Sequence, residues 1–204
     1  MPINGVLFDF DGTLTSPGAI DFIKIKNFLE CPMDQTILEF IESLNFDQQQ
    51  EAYTFLDSHE EEAAKISVPA PGAESIIWSF KTKNLPLGII TRNSLKAVLT
   101  ALDNFVLTGP EDFAIILTRD DAPCKPDPEG VIIAAKKMGI PPGELLMVGD
   151  FSFDITAGHA AGARTVLIEH HGAPEMPPCP EPDYRISHLG ELDSIVMYGS
   201  LEKK

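Results

Sequence analysis

The sequence predicts an α/β fold, a doubly wound parallel sheet with a small all-helical insertion after its first strand. Three observations carry that prediction. Short apolar runs recur along the chain, helical segments separate them, and one long stretch near the N-terminus breaks the alternation.

The apolar runs are Ile3–Phe8, Leu85–Ile90, Phe113–Leu117, Leu145–Val148 and Arg164–Ile168. Most are apolar throughout and do not alternate with polar residues, as strands buried on both faces of a parallel sheet require. Between them, the segment 72–83 carries Ile76, Ile77 and Phe80 at helical spacing. The segment 93–102 follows a strand, and Asn93 or Ser94 can cap it. The segment 129–138 ends at Gly139, a natural helix stop, and Pro141 and Pro142 prevent resumption.

Between Thr15 and about Pro69 no convincing strand is readable. Three amphipathic helices are predicted instead, over 19–29, 34–44 and 47–65, with Asp34 and Asp47 as N-caps of the last two. Turn-forming residues bound the stretch, Ser16-Pro17-Gly18 at one side and Val68-Pro69-Ala70-Pro71-Gly72 at the other. The chain therefore divides into a core of residues 1–15 and 70–204 and a helical unit of residues 16–69. That unit is either an ordinary subdomain or a lid, and its position beyond a strand end favours the lid, because α/β ligands bind there. The proline-rich segment 172–182 reads as a loop, 184–186 as an edge strand and 189–196 as a closing helix.

Composition narrows the classes of function. Apolar residues make up 44% and charged residues 23%, ordinary values for a globular protein. No run approaches the roughly 20 apolar residues of a membrane span. The N-terminus lacks a basic region followed by an apolar segment, so a cytoplasmic protein is expected. A formal net charge of −16 repels nucleic acid and anionic membranes, and neither is expected as a partner. An anionic substrate would also be repelled unless a metal ion or buried cations gather at the site. Cys31, Cys124 and Cys179 are far apart and form no zinc or disulfide pattern, so they read as reduced thiols. The adjacent His170 and His171 read as loop histidines.

Two acidic pairs stand at strand ends. In Asp9-Phe10-Asp11-Gly12-Thr13 the carboxylates follow the run Val6-Leu7-Phe8, and residues two apart share a face, so Asp9 and Asp11 project into one crevice. Like charges placed together there need a cation or a shared proton, unless the junction is simply solvated. Gly12 lets the backbone turn and an anion approach its amide. A calcium loop does not fit: aligning Gly12 with its glycine puts Leu7 and Gly18 at ligand positions. In Gly149-Asp150-Phe151-Ser152-Phe153-Asp154 the acids are four apart, which points both at one ion or leaves Asp154 as a helix cap. Carboxylates without His or Cys select magnesium over zinc.

Two weaker segments complete the set. Thr91-Arg92-Asn93 closes a strand and offers a hydroxyl and backbone amides at a helix start, a phosphate cradle or an ordinary cap. Lys125, in Cys124-Lys125-Pro126-Asp127-Pro128, lies in a loop restricted by two prolines, which suits a lysine pointing inward as well as one at the surface.

The ordered set DFDGTLT, ITRN, KPDP and GDFSFD resembles the haloacid dehalogenase superfamily over the whole chain. The resemblance implies a Rossmann-like core with a helical cap inserted after the first strand. It implies that Asp9 is a nucleophile that becomes an aspartyl phosphate, and that Asp11 protonates the leaving oxygen and then activates water. It implies Mg2+ held by Asp9, the main-chain carbonyl of Asp11, Asp150 and, directly or through water, Asp154. Gly12, Thr91, Arg92 and Lys125 fall on phosphate-binding positions, with Lys125 neutralising charge shared by Asp9 and phosphate. The expected activity is Mg-dependent hydrolysis of a small phosphorylated metabolite.

Chain length, cap position and the ending 182–186 look most like phosphoglycolate-phosphatase-type enzymes. Dehalogenating and phosphonate-cleaving relatives lack an acid at the place of Asp11. A sugar-phosphate mutase keeps both acids, and a non-catalytic binding module would not need six intact site residues. In the cap, Lys24, Lys26 and His59 are the residues within possible reach of substrate.

Overall fold

In the computed structural model, residues 2–172 and 176–199 are described. Six strands form one parallel sheet: β1 (Gly5–Phe8), β2 (Leu87–Ile90), β3 (Ile115–Leu117), β4 (Leu145–Gly149), β5 (Arg164–Ile168) and β6 (Tyr184–Ile186). Their order across the sheet is β3-β2-β1-β4-β5-β6. The chain winds outward from β1 in one direction through β3, then returns to pair β4 with β1. The reversal leaves a crevice at the carboxyl ends of β1 and β4, where acids follow both strands.

Helices cover both faces. Val6 and Phe8 of β1 face α4 (Ala73–Thr82), α5 (Leu95–Leu102) and α8 (Leu192–Tyr198), joining a cluster with Ile77, Phe80, Val98 and Ile195. Leu7 faces the opposite way, toward α6 (Glu129–Met138) and α7 (Ser152–Ala161), with Val131, Ala134 and Ala157. Alternation along a wholly apolar strand thus feeds two separate clusters, the reason such strands carry no polar face.

Several ends differ from the sequence expectation. β2 starts at Leu87, not Leu85, because Pro86 has no amide to donate; its carbonyl instead accepts the Val6 amide at 3.1 Å. β4 runs one residue further, with Gly149 paired to Leu167. α5 begins at Leu95 under Ser94, whose hydroxyl accepts the Ala97 amide at 3.3 Å.

Between β1 and α4 lie α1 (Phe22–Leu29), α2 (Ile37–Ser43) and α3 (Phe46–Ile66). Ile25, Leu38, Ile41, Ala52 and Leu56 give these helices an apolar cluster of their own. Neither aspartate expected as an N-cap serves as one. Asp34 precedes the helix by three residues; Thr36 occupies the cap position, and its hydroxyl accepts from the Arg92 guanidinium at 3.4 Å and not from the helix. Asp47 lies within the first turn of α3, which Asn45 and Gln48 cap reciprocally at 3.1 and 3.4 Å. The two chain crossings run side by side: the Ser16 amide donates to Val68 at 2.9 Å, and the Ala70 amide to Leu14 at 2.8 Å.

A buried ion pair ties α3 to the sheet. After β3, Arg119 donates to both carboxylate oxygens of Glu60 at 2.8 Å and also to Asp57. Their side chains are 6% and 7% exposed for Arg119 and Glu60. Burial raises the Glu60 carboxyl to about 7 against the pull of Arg119. At pH 8, where Glu60 is ionised, Arg119→Ala strands a buried charge and is expected to cost roughly 3–5 kcal/mol in denaturant unfolding. A second change, Glu60→Leu, should restore most of the loss. A cost under about 1 kcal/mol for the single variant would show that the pair does not hold α3 in place.

Candidate active site

Four loops at the carboxyl ends of β1 to β4 meet under the three helices. β1 delivers Asp9, whose amide donates to the Val148 carbonyl at 2.8 Å and so is fixed against β4. β2 delivers Thr91, its amide bonded to Leu117 at 2.9 Å. Lys125 precedes α6, and Asp150 follows β4. All line a single cavity of about 650 Å³, together with Asp11, Arg92, Asn93 and Asp154.

The Lys125 ammonium is its focus. The side chain is 3% exposed. It donates to Asp9 Oδ1 at 2.5 Å, Asp154 Oδ1 at 2.6 Å and the Ile90 carbonyl at 2.7 Å. All three donor hydrogens are thereby used. Burial works against the charged lysine, but the charges of Asp154 and Asp9 outweigh it and hold its pKa above the ordinary lysine value. The Lys125–Pro126 peptide is cis.

Asp9, Asp150 and Asp154 can each bring a carboxylate oxygen within 4.8 Å of the others. With one lysine among them the cluster keeps an excess of negative charge. Burial pushes Asp9 well above the usual carboxylate range against the pull of Lys125. Burial and the charge of Asp154 raise Asp150 to about 6. Three hard oxygen donors without Cys or His at this spacing fit a cation such as Mg2+. Asp154 also serves its own helix: Oδ2 accepts the Phe151 amide at 3.1 Å while Oδ1 takes the Lys125 bond. The two readings of that residue are therefore not exclusive.

Two glycines make room for these carboxylates. Gly12 has φ +85°, and a Cβ there would stand 2.2 Å from Asp150 Oδ2. At Gly149 a Cβ would stand 2.1 Å from Cγ of Asp154. Any side chain at either position displaces an acid.

Asp11 occupies a different environment from Asp9. Its Oδ2 accepts the Asn93 side-chain amide at 2.9 Å. Burial raises its pKa, with the Asn93 bond opposing. Thr91 is buried, its hydroxyl accepting the Asn93 amide at 3.1 Å. Arg92 donates to the Lys125 carbonyl at 2.5 Å and lies over the Phe153 ring at 4.6 Å from its centre.

Some participants were not read from sequence. His170, expected as a plain loop residue, donates from Nε2 to the Gly12 carbonyl at 2.5 Å and stands 3.8 Å from Asp150. Asn93 was read as a cap, yet its side chain serves Asp11. Of the cap residues, Lys26 lines the cavity, whereas the His59 ring lies tilted against Phe55 with 3.9 Å between centres.

Comparison with known proteins agrees with this geometry. Residues 6–168 match the family model described as haloacid dehalogenase-like hydrolase. An uncharacterized hydrolase of Saccharomyces cerevisiae is 34% identical over 172 residues, 83% of this chain and 78% of that protein. Pyrophosphatase PpaX of Bacillus pumilus is 31% identical, covering 95% and 96%. The crystal structure of a predicted phosphoglycolate phosphatase from Haemophilus somnus superposes with a TM-score of 0.73 over 96% of this chain and 98% of that one, at 21% identity, a likeness of fold.

A cation held by these raised acids would bind in a pH-dependent way. Below about 6 Asp150 holds a proton that a cation must displace; above it the carboxylate is free. Magnesium affinity, measured by calorimetry, is expected to rise about tenfold or more from pH 5 to 7.5. An affinity unchanged across that range would remove Asp150 from the binding group.

Proposed function

We infer the reaction from a plain premise: the chain belongs to the haloacid dehalogenase-like hydrolase family. The proposed activity is magnesium-dependent hydrolysis of a small phosphate monoester, through an aspartyl phosphate on Asp9. The observation that carries it is the Lys125 ammonium on Asp9, in one cavity with Asp11 held by a neutral amide.

In this reading Asp9, Asp150 and Asp154 would hold Mg2+ with the Asp11 main-chain carbonyl. A bound magnesium ion supplies positive charge that lets a carboxylate approach an anionic phosphoryl group. Lys125 opposes the burial that raises Asp9 and adds a fixed charge beside the phosphoryl oxygens. An Asp9 oxygen forms a bond to phosphorus as the bond from phosphorus to the ester oxygen breaks. Asp11, its pKa raised by burial, gives its proton to that departing oxygen. The Asp11 carboxylate next takes a proton from water, whose oxygen attacks the same phosphorus as the bond from phosphorus to the Asp9 oxygen breaks. Inorganic phosphate leaves, and Asp9 and protonated Asp11 are restored. Gly12 and Thr91 offer an amide and a hydroxyl to the phosphoryl oxygens, and Arg92 adds charge at the cavity wall.

Residues 16–69 act here as a cap. Their helices supply one wall of the cavity and reduce the water around the charges below, which strengthens each interaction there. A roofed cavity of this size selects small molecules over phosphoproteins.

Asp9→Asn keeps the shape of the side chain but removes its nucleophilic oxygen pair. It is expected to lower phosphate release by at least about a thousandfold, with the circular dichroism spectrum unchanged. Turnover within about tenfold of the parent protein would exclude Asp9 as nucleophile.

A further inference from the structure

The cavity wall facing away from the acids is apolar. Ile20 and Phe22 before and in α1, Met33 in the following loop, Ile37 and Leu38 of α2, and Leu56 of α3 supply it. Phe151 and Phe153 continue the surface from the core, their rings packed edge to face at 4.9 Å between centres. Lys26, Asp34, Gln35, Thr36 and Glu60 interrupt this wall.

The cations of the cavity are already engaged. Lys125 uses its three hydrogens below. Arg92 is held by the Lys125 carbonyl, the Thr36 hydroxyl and the Phe153 ring. Lys26 donates to the Met33 carbonyl at 2.8 Å. On the cap side of the wall Asp34 offsets the charge of Lys26, and Glu60 is paired with Arg119, so the cap offers a second anionic group on the substrate no net attraction. An apolar body, by contrast, would release water from six or more hydrocarbon side chains.

We propose that the leaving group this site takes is uncharged and mainly apolar, an aromatic or branched alkyl alcohol, in preference to a carboxylate- or phosphate-bearing one. The proposal rests on the phosphatase reading above. Phe22 and Met33 are its specificity-determining residues: they line the cavity yet are 56% and 59% exposed, so the fold does not depend on them.

The test compares kcat/KM in the presence of magnesium for benzyl phosphate and 3-methylbutyl phosphate against phosphoglycolate, glycerol 3-phosphate and inorganic pyrophosphate. The benzyl and methylbutyl esters carry poorly activated alkyl leaving groups, so intrinsic reactivity does not favour them. They are expected to exceed the charged substrates by about tenfold or more, since even single methylenes discriminate on that scale. Replacing both side chains, F22S with M33S, should shrink that ratio by about tenfold, while thermal unfolding stays within a few degrees of the parent. Equal or better turnover of phosphoglycolate, glycerol 3-phosphate or pyrophosphate overturns the leaving-group assignment and leaves the phosphatase reading standing. A ratio untouched by the double substitution also overturns it. Phosphate release from none of the five would overturn the phosphatase reading, and this inference with it.

Discussion

One buried ammonium group holds the site together. Lys125 meets Asp9, Asp154 and the Ile90 carbonyl at once, joining the loops after β1 and β4 to the end of β2. Removing a lysine from water is costly, and burying aspartates beside one another is costly too; each offsets the other only at hydrogen-bond distance. The balance is incomplete. Asp150 remains, its pKa raised by burial and by the charge of Asp154. A cluster of this kind is built to receive more positive charge, and the same deficit that burdens the folded state is what a hard cation would relieve.

The topology explains why these groups meet although they lie up to 145 residues apart, from Asp9 to Asp154. In a parallel sheet every strand delivers its following loop to the same edge. Reversal of winding at β1 leaves a gap there that no crossover fills. The helical segment 16–69 leaves the sheet at that edge and returns to it through the paired crossings at Ser16 and Ala70. Arg119 then fixes α3 over the gap, because its own loop follows β3 and ends at the same edge. Position of the roof and position of the acids thus have one cause.

How much of this was legible in the sequence follows from what each feature depends on. The sheet was legible because wholly apolar runs admit few alternatives, and β5 and β6 run over the residues expected. Asp9, Asp11, Asp150 and Asp154 were legible because charge directly after a buried strand is costly without a purpose. The helix starts were misread where two signals competed. Asn45 and Gln48 form a capping box that the sequence carries openly, but Asp47 drew attention first. Thr36 was hidden because its hydroxyl serves Arg92, a partner 56 residues away. His170, Asn93 and the Arg119–Glu60 pair depend likewise on distant contacts, and no local spacing announces them.

Asp9 and Asp11 show how neighbouring identical side chains are made unlike. Both are buried, and burial raises both. Asp9 faces an ammonium, which pulls it toward the carboxylate form against burial. Asp11 faces the neutral amide of Asn93, which orients an oxygen without supplying a full charge. Their separation by one residue, Phe10, follows from the alternation of an extended chain, and Phe10 itself is buried in the core cluster with Phe8. A rigid apolar anchor between the two acids keeps each turned toward its own partner. In the proposed mechanism the division between a nucleophile and an acid would therefore begin in packing, with electrostatics completing it.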